Sequence, residues 1–156
     1  MARRVTTWAA AIVVALVLAV QAEAATLTQS ESSLLSAMNA ARRGYGLGPL
    51  RADARLERAA RGHSVRMLRL GVFFHGAFTA RIRRAGVRAP RIGENLAWAV
   101  GRVTRARSIV TMWLASPPHR ANLLYPGYRL VGVGAINGNF GGRPNTRMIT
   151  TDFAGY

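Results

Sequence analysis

The sequence predicts a single α+β domain, with helices packed against an antiparallel sheet. Three observations predict it. The chain has 156 residues, 50% of them hydrophobic, which suits one domain and is too apolar and varied for a disordered chain. Apolar residues recur at helical intervals through the first part, then at intervals of two from Arg129 onward. Glycine and proline fall where one element must give way to the next.

The elements follow in order. Arg3 and Arg4 give a basic start, residues 8–20 form an uncharged apolar run, and Ala22-Glu23-Ala24 supplies small residues for a cleavage site. That run is shorter than the roughly 20 residues needed to span a bilayer core. The expectation is therefore a signal peptide over residues 1–24, a short lead over 25–31 and the folded domain over 32–156. Thr28 and Glu31 have capping-box spacing, and Leu34, Leu35, Met38, Ala41 and Tyr45 follow as a helical stripe that Gly44 and Gly46 end. Gly48-Pro49 is a turn. Asp53 caps a second helix with Leu56, Ala60, His63, Met67 and Leu70 on one face, stopped by Gly71. A loop through Phe73, Phe74 and His75 leads to a short helix over 78–85, then a loop over 86–93. Thr104 is expected to cap a third long helix with Ile109, Met112 and Trp113 inward, ended by Pro117-Pro118. Residues 130–136 and 147–153 read as strands around a glycine-rich turn.

Composition narrows the chemistry. All 22 basic residues are arginine, against 6 acids, for a formal charge of +16. Cysteine is absent, which excludes disulfides, thiol nucleophiles, thiolate metal sites and a lipidated cysteine. Such charge draws a protein to anionic cell-envelope polymers or lipid headgroups. Few aromatics interleave the arginines, so nucleic acid is the disfavoured partner. No G-x-S-x-G, phosphate-binding G-x-x-x-x-G-K or H-E-x-x-H is present. His63-Ser64 is no dyad, because adjacent helical residues point apart.

A few titratable residues remain. Glu31 and Asp53 serve as helix-start residues, and Glu57 is expected on a solvated face. Glu94 stands inside the apolar run Gly93-Glu94-Asn95-Leu96-Ala97-Trp98, where a carboxylate needs a partner or a raised pKa. It is either a salt bridge to an arginine or a site residue. His63, on an apolar helix face, is either a hydrogen-bonded core histidine or a ligand. His75 lies in a loop, and His119 follows Pro117-Pro118, where helix capping competes with a site role.

These residues carry a resemblance. Gly93-Glu94-Asn95-Leu96-Ala97-Trp98, the run from Trp113 through Ser116-Pro117-Pro118-His119-Arg120-Ala121-Asn122 to Leu124, and Val131-Gly132-Val133-Gly134 resemble the bacterial, SCP-like extracellular branch of the CAP superfamily. Asn39-Ala40-Ala41-Arg42, Pro49-Leu50, Asp53, His63-Ser64 and Thr151-Asp152-Phe153 resemble the same branch.

The resemblance implies a three-layer α-β-α sandwich with a central antiparallel sheet. It also implies a cleft that in the family holds two histidines and two glutamates, with zinc or another divalent cation bound in some members. His75 matches the first histidine and Glu94 the glutamate of the G-E-N motif. Met148-Ile149-Thr150-Thr151 departs from the H-Y-T-Q motif that carries the second histidine elsewhere, and no acid stands between Trp113 and His119. His63 and His119 are then the candidates for the missing groups. The implied cleft set is His63, His75, Glu94, Asn95 and His119, and the implied metal ligands are His75, His119, His63 and Glu94. The expected function is a secreted binding protein taking a small ligand, a lipid or a divalent cation such as Zn2+. The alternative is a metal-assisted hydrolase with Glu94 as general base.

Overall fold

The computed structural model describes residues 26–156, and the expected signal peptide over residues 1–24 lies outside them. Among the described residues no helix is long and apolar enough to cross a membrane.

Helix α1 (Gln29–Gly44) opens with the expected capping box, Thr28 and Glu31 each bonding the other's backbone N–H. A two-residue strand β1 (Arg51–Ala52) leads to α2 (Ala54–Leu70), which Asp53 caps and Gly71 ends at φ 64°. Short helix α3 (Phe78–Arg84) precedes strand β2 (Arg91–Ala99). Helix α4 (Ala106–Ala115) stops before Pro117, and the two prolines start α5 (Pro117–Leu123), whose first turn needs no proline N–H. Strands β3 (Leu130–Phe140) and β4 (Arg143–Gly155) form a hairpin. Both run longer than the pattern suggested, because the turn is only Gly141-Gly142 at φ 56° and 76°, a pair suited to a tight two-residue turn.

The sheet order is β1-β3-β4-β2. β2, β4 and β3 pair antiparallel, but β1 runs parallel to β3, so the sheet is mixed rather than purely antiparallel. The chain crosses from β1 to β3 only after α2, α3, β2, α4 and α5, a long connection that permits parallel pairing.

Helices cover both faces, giving three layers. On one face α1, α4 and α5 supply Leu34, Met38, Ile109, Trp113 and Leu123 to a core closed by Val131, Val133, Ile149 and Phe153 of the sheet. On the other, Leu56 and Met67 of α2 and Ile82 of α3 meet Ala154, Leu96 and Met148. Strand alternation explains Val131-Gly132-Val133-Gly134: the valines enter the first core, and the glycines lie under α2. A Cβ at Gly132 or Gly134 would overlap the α2 backbone at Leu56 or Ala60.

Several side chains depart from expectation, Leu70 among them, since the apolar face of α2 ends at Met67 and Leu70 is exposed. Thr104 Oγ1 donates to the Gly101 carbonyl, so it closes a preceding 3₁₀ turn and Arg105 occupies the α4 N-cap without a side-chain bond. Met112 is 42% exposed, since the inward stripe of α4 is Ile109, Val110 and Trp113. Glu57 is buried rather than solvated. Burial raises its pKa, and Arg61 one turn on, 4.0 Å away, opposes that shift. Arg61 also grips the Glu31 carboxylate at 2.6 and 2.8 Å, joining the first turn of α1 to α2.

Candidate functional site

The site forms where β2 makes one edge of the sheet. Alternation along this strand sends Gly93 and Asn95 to one face and Glu94 to the other. Gly93 leaves space for the Tyr128 hydroxyl and the Asn122 side chain, which a Cβ would strike. Asn95, fully buried, donates to the His119 carbonyl at 2.9 Å. Asn122 donates to the Glu94 carbonyl at 2.9 Å and to Asn95 Oδ1 at 3.1 Å. These bonds lash α5, and with it His119, to the strand edge. A further edge acceptor, the Leu96 carbonyl, takes the Trp113 indole N–H at 3.0 Å.

Glu94 is 4% exposed and fully engaged. Its Oε1 lies 2.7 Å from His75 Nδ1, and its Oε2 accepts from Arg81 Nη2. His75 sits in the loop between α2 and α3, so Gly71 and the register of α3 together aim both partners at Glu94. The same Arg81 nitrogen reaches Asp152 Oδ1 at 3.1 Å. Asp152 is completely buried. Burial pushes its pKa up to about 7, Arg81 pulls against that rise, and the Glu94 charge adds to it.

His75, Glu94 and His119 line one cleft of about 440 Å3, with Phe78, Ile92 and Asn122. His119 Nδ1 is 2.8 Å from Ser116 Oγ. Burial lowers the His119 pKa and nearby His75 lowers it further, which keeps the ring neutral near pH 7. His63 is placed elsewhere. It is 2% exposed, its Nε2 donates to the Phe74 carbonyl at 2.8 Å, and it lines a second pocket shared with Arg81. Burial, then the Arg81 charge, lowers its pKa.

The structure thus brings three of the four expected titratable residues to one cleft, fixes Asn95 beneath it and puts His63 next door. The donor set does not fit a divalent cation as arranged. Both Glu94 oxygens hold partners, one of them a guanidinium, and among the described residues no three His, Asp or Glu side chains group to hold a metal. Sequence reasoning passed over Arg81 and Asp152. The available signal was that Asp152 is the one acid of the domain left without a role.

The sequence profile of the CAP family, the cysteine-rich secretory protein family, matches residues 35–151. The chain belongs to the CAP family. The uncharacterized protein YkwD of Bacillus subtilis is 32% identical over 111 residues, 68% of this chain and 42% of its own length. This CAP chain therefore spans under half the length of that curated relative. Among solved structures, an extracellular SCP-domain protein from Bacillus anthracis superposes with a TM-score of 0.69 at 24% identity, covering 85% of this chain and 45% of that one. An outer surface protein of Borrelia burgdorferi gives 0.71 at 20% identity, covering 85% and 98%. At such identities these likenesses show the fold, the α-β-α sandwich of CAP domains.

Proposed function

We propose that this CAP domain works outside the cytoplasm as a binding protein, its cleft taking a small amphipathic, lipid-like molecule. The carrying observation is the composition of the cleft. Phe78, Ile92 and Pro118 give it apolar walls, while His75, His119 and Asn122 give polar groups, the mixture that ligand pockets use for burial and orientation. Glu94 holds His75 by Nδ1, leaving Nε2 for the head of the ligand. A volume near 440 Å3 suits a short acyl chain with an acidic or hydroxyl head. A divalent cation is the weaker occupant, because Arg81 already neutralises Glu94, and that engagement equally withholds Glu94 from acting as a general base. The basic start, apolar run and Ala22-Glu23-Ala24 support export, and so do the extracellular and outer-surface descriptions of the structural relatives.

The test is a titration with octanoate, followed by the ring NMR signals of the three histidines. Saturable shifts at His75 and His119, weakened about tenfold by Phe78→Ala, are expected, since losing the aromatic wall of the cleft removes about 1.4 kcal/mol of contact with the ligand. Flat signals at both rings across the solubility range of octanoate overturn the reading.

A further inference from the structure

Arg81 has a second side. Between α2, the loop over residues 71–77 and α3 lies a pocket of about 210 Å3, lined by Arg58, Arg66, Arg81 and Arg84 with His63 and Phe74, and by no acidic side chain. The surrounding sequence is as one-sided: positions 58–93 hold nine arginines and no Asp or Glu. Arg58, Arg66 and Arg84 make no salt bridge among the described residues. Arg66 instead stacks over Phe74 at 5.5 Å, which fixes its guanidinium at the rim. Arg81 Nε is buried without a hydrogen-bond partner, although its Nη2 is engaged by Glu94 and Asp152.

Guanidinium groups gathered around one concavity repel each other, and a buried N–H left unpaired adds a desolvation penalty. An oxyanion in the concavity relieves the repulsion. It accepts from planar guanidinium forks, the geometry for which arginine is suited over lysine. Size restricts the class further. At roughly 30 Å3 per water in the liquid, the pocket holds a tetrahedral anion and part of its hydration, and it is below the range of drug-sized sites.

We infer that this pocket binds a phosphate-class oxyanion. The site is distinct from the cleft at the β2 edge and does not depend on what occupies it. Free phosphate and the phosphate of a lipid headgroup share this chemistry. Leu70, Val72 and Phe73, exposed by 55%, 51% and 41%, stand on the same loop and helix end, where a headgroup would bring a bilayer.

Calorimetric titration of the chain with inorganic phosphate tests the site, and flotation with phosphatidylcholine vesicles, with and without phosphatidylglycerol, separates the sources. One saturable phosphate site is expected, weakened about tenfold by Arg58→Gln or Arg84→Gln. Arg107→Gln, on α4 in the opposite layer, should leave it unchanged. Both pocket arginines are exposed, so the variants fold. Flotation only with phosphatidylglycerol, competed by phosphate and lost in Leu70→Ser, assigns a headgroup. Phosphate binding without flotation assigns the free anion, and either result supports the pocket. Absence of saturable phosphate binding, or equal weakening by Arg107→Gln, overturns it in favour of diffuse charge.

Discussion

Glu94 and Asp152 are direct cross-strand partners on β2 and β4, two buried carboxylates side by side on one face of the sheet. Like charges opposite each other destabilise a strand pair, and here the Arg81 guanidinium bonds to both. One cation cannot fully compensate two buried anions, so Asp152, its pKa raised by burial, takes up a proton near neutrality.

The pH dependence of folding follows. The Asp152 pKa stands at about 7 in the folded chain against 3.8 for the ordinary group. Between those values the folded state keeps a proton that the unfolded state has lost, so this group lowers stability as pH rises from about 4 to about 7. Urea unfolding of wild type and Asp152→Asn across that window checks it. The difference between the two proteins should shift steadily in favour of the variant as pH increases, and a constant difference contradicts the assignment.

Removing the cation should be severe. Arg81→Met leaves two buried carboxylates facing each other, and breaking a buried ion pair costs about 3–5 kcal/mol. Arg83, exposed two residues away, provides the control, since its replacement by methionine should stay within about 0.5 kcal/mol. Chemical denaturation of both variants at pH 7 distinguishes an ion-pair keystone from a merely basic helix.

Trp113 is 1% exposed and bonded through its indole to Leu96. Trp113→Ala should cost about 3–5 kcal/mol, while Met112→Ala, next in sequence but outward, should change stability by less than about 1 kcal/mol. Equal losses would mean that α4 is rotated from the orientation described.

Gly134 tests the contact between α2 and the sheet. Its missing Cβ is what lets α2 lie directly on β3, and Gly134→Ala should destabilise by at least about 1–3 kcal/mol through overpacking. Gly48→Ala, where the added Cβ meets nothing within 4 Å, should be close to neutral. Thermal unfolding of the pair reads the difference.

Periodicity, caps and punctuating residues marked most of the helices and the hairpin, because those signals are local. Thr28 with Glu31, Asp53, Gly71 and Pro117 each act within a turn of their own position. Met112 and Thr104 depart from the pattern because neighbouring residues on a helix differ by a rotation that periodicity resolves poorly, and because a 3₁₀ turn claims the threonine hydroxyl. The burial of Glu57 is not legible in the sequence, because its partner Arg61 is one more arginine among 22. The parallel pairing of β1 rests on contacts between residues far apart in the chain, Arg51 with Leu130. In the site, motif likeness reached His75, Glu94, Asn95 and His119. The bridge from Glu94 to Asp152 through Arg81 joins three distant segments, and spacing along the chain carries no trace of it.

The bonds along the outer margin of β2 have a consequence for solubility. A strand at the rim of a sheet offers a template on which foreign chains can stack, and proteins commonly guard such rims with lysines or prolines. Here the Glu94 and Leu96 carbonyls are occupied by Asn122 and Trp113, so an incoming strand finds two consecutive docking points already taken. Side chains of α4 and α5 act as a hem on the fabric, closing that stretch of the rim to edge-to-edge aggregation.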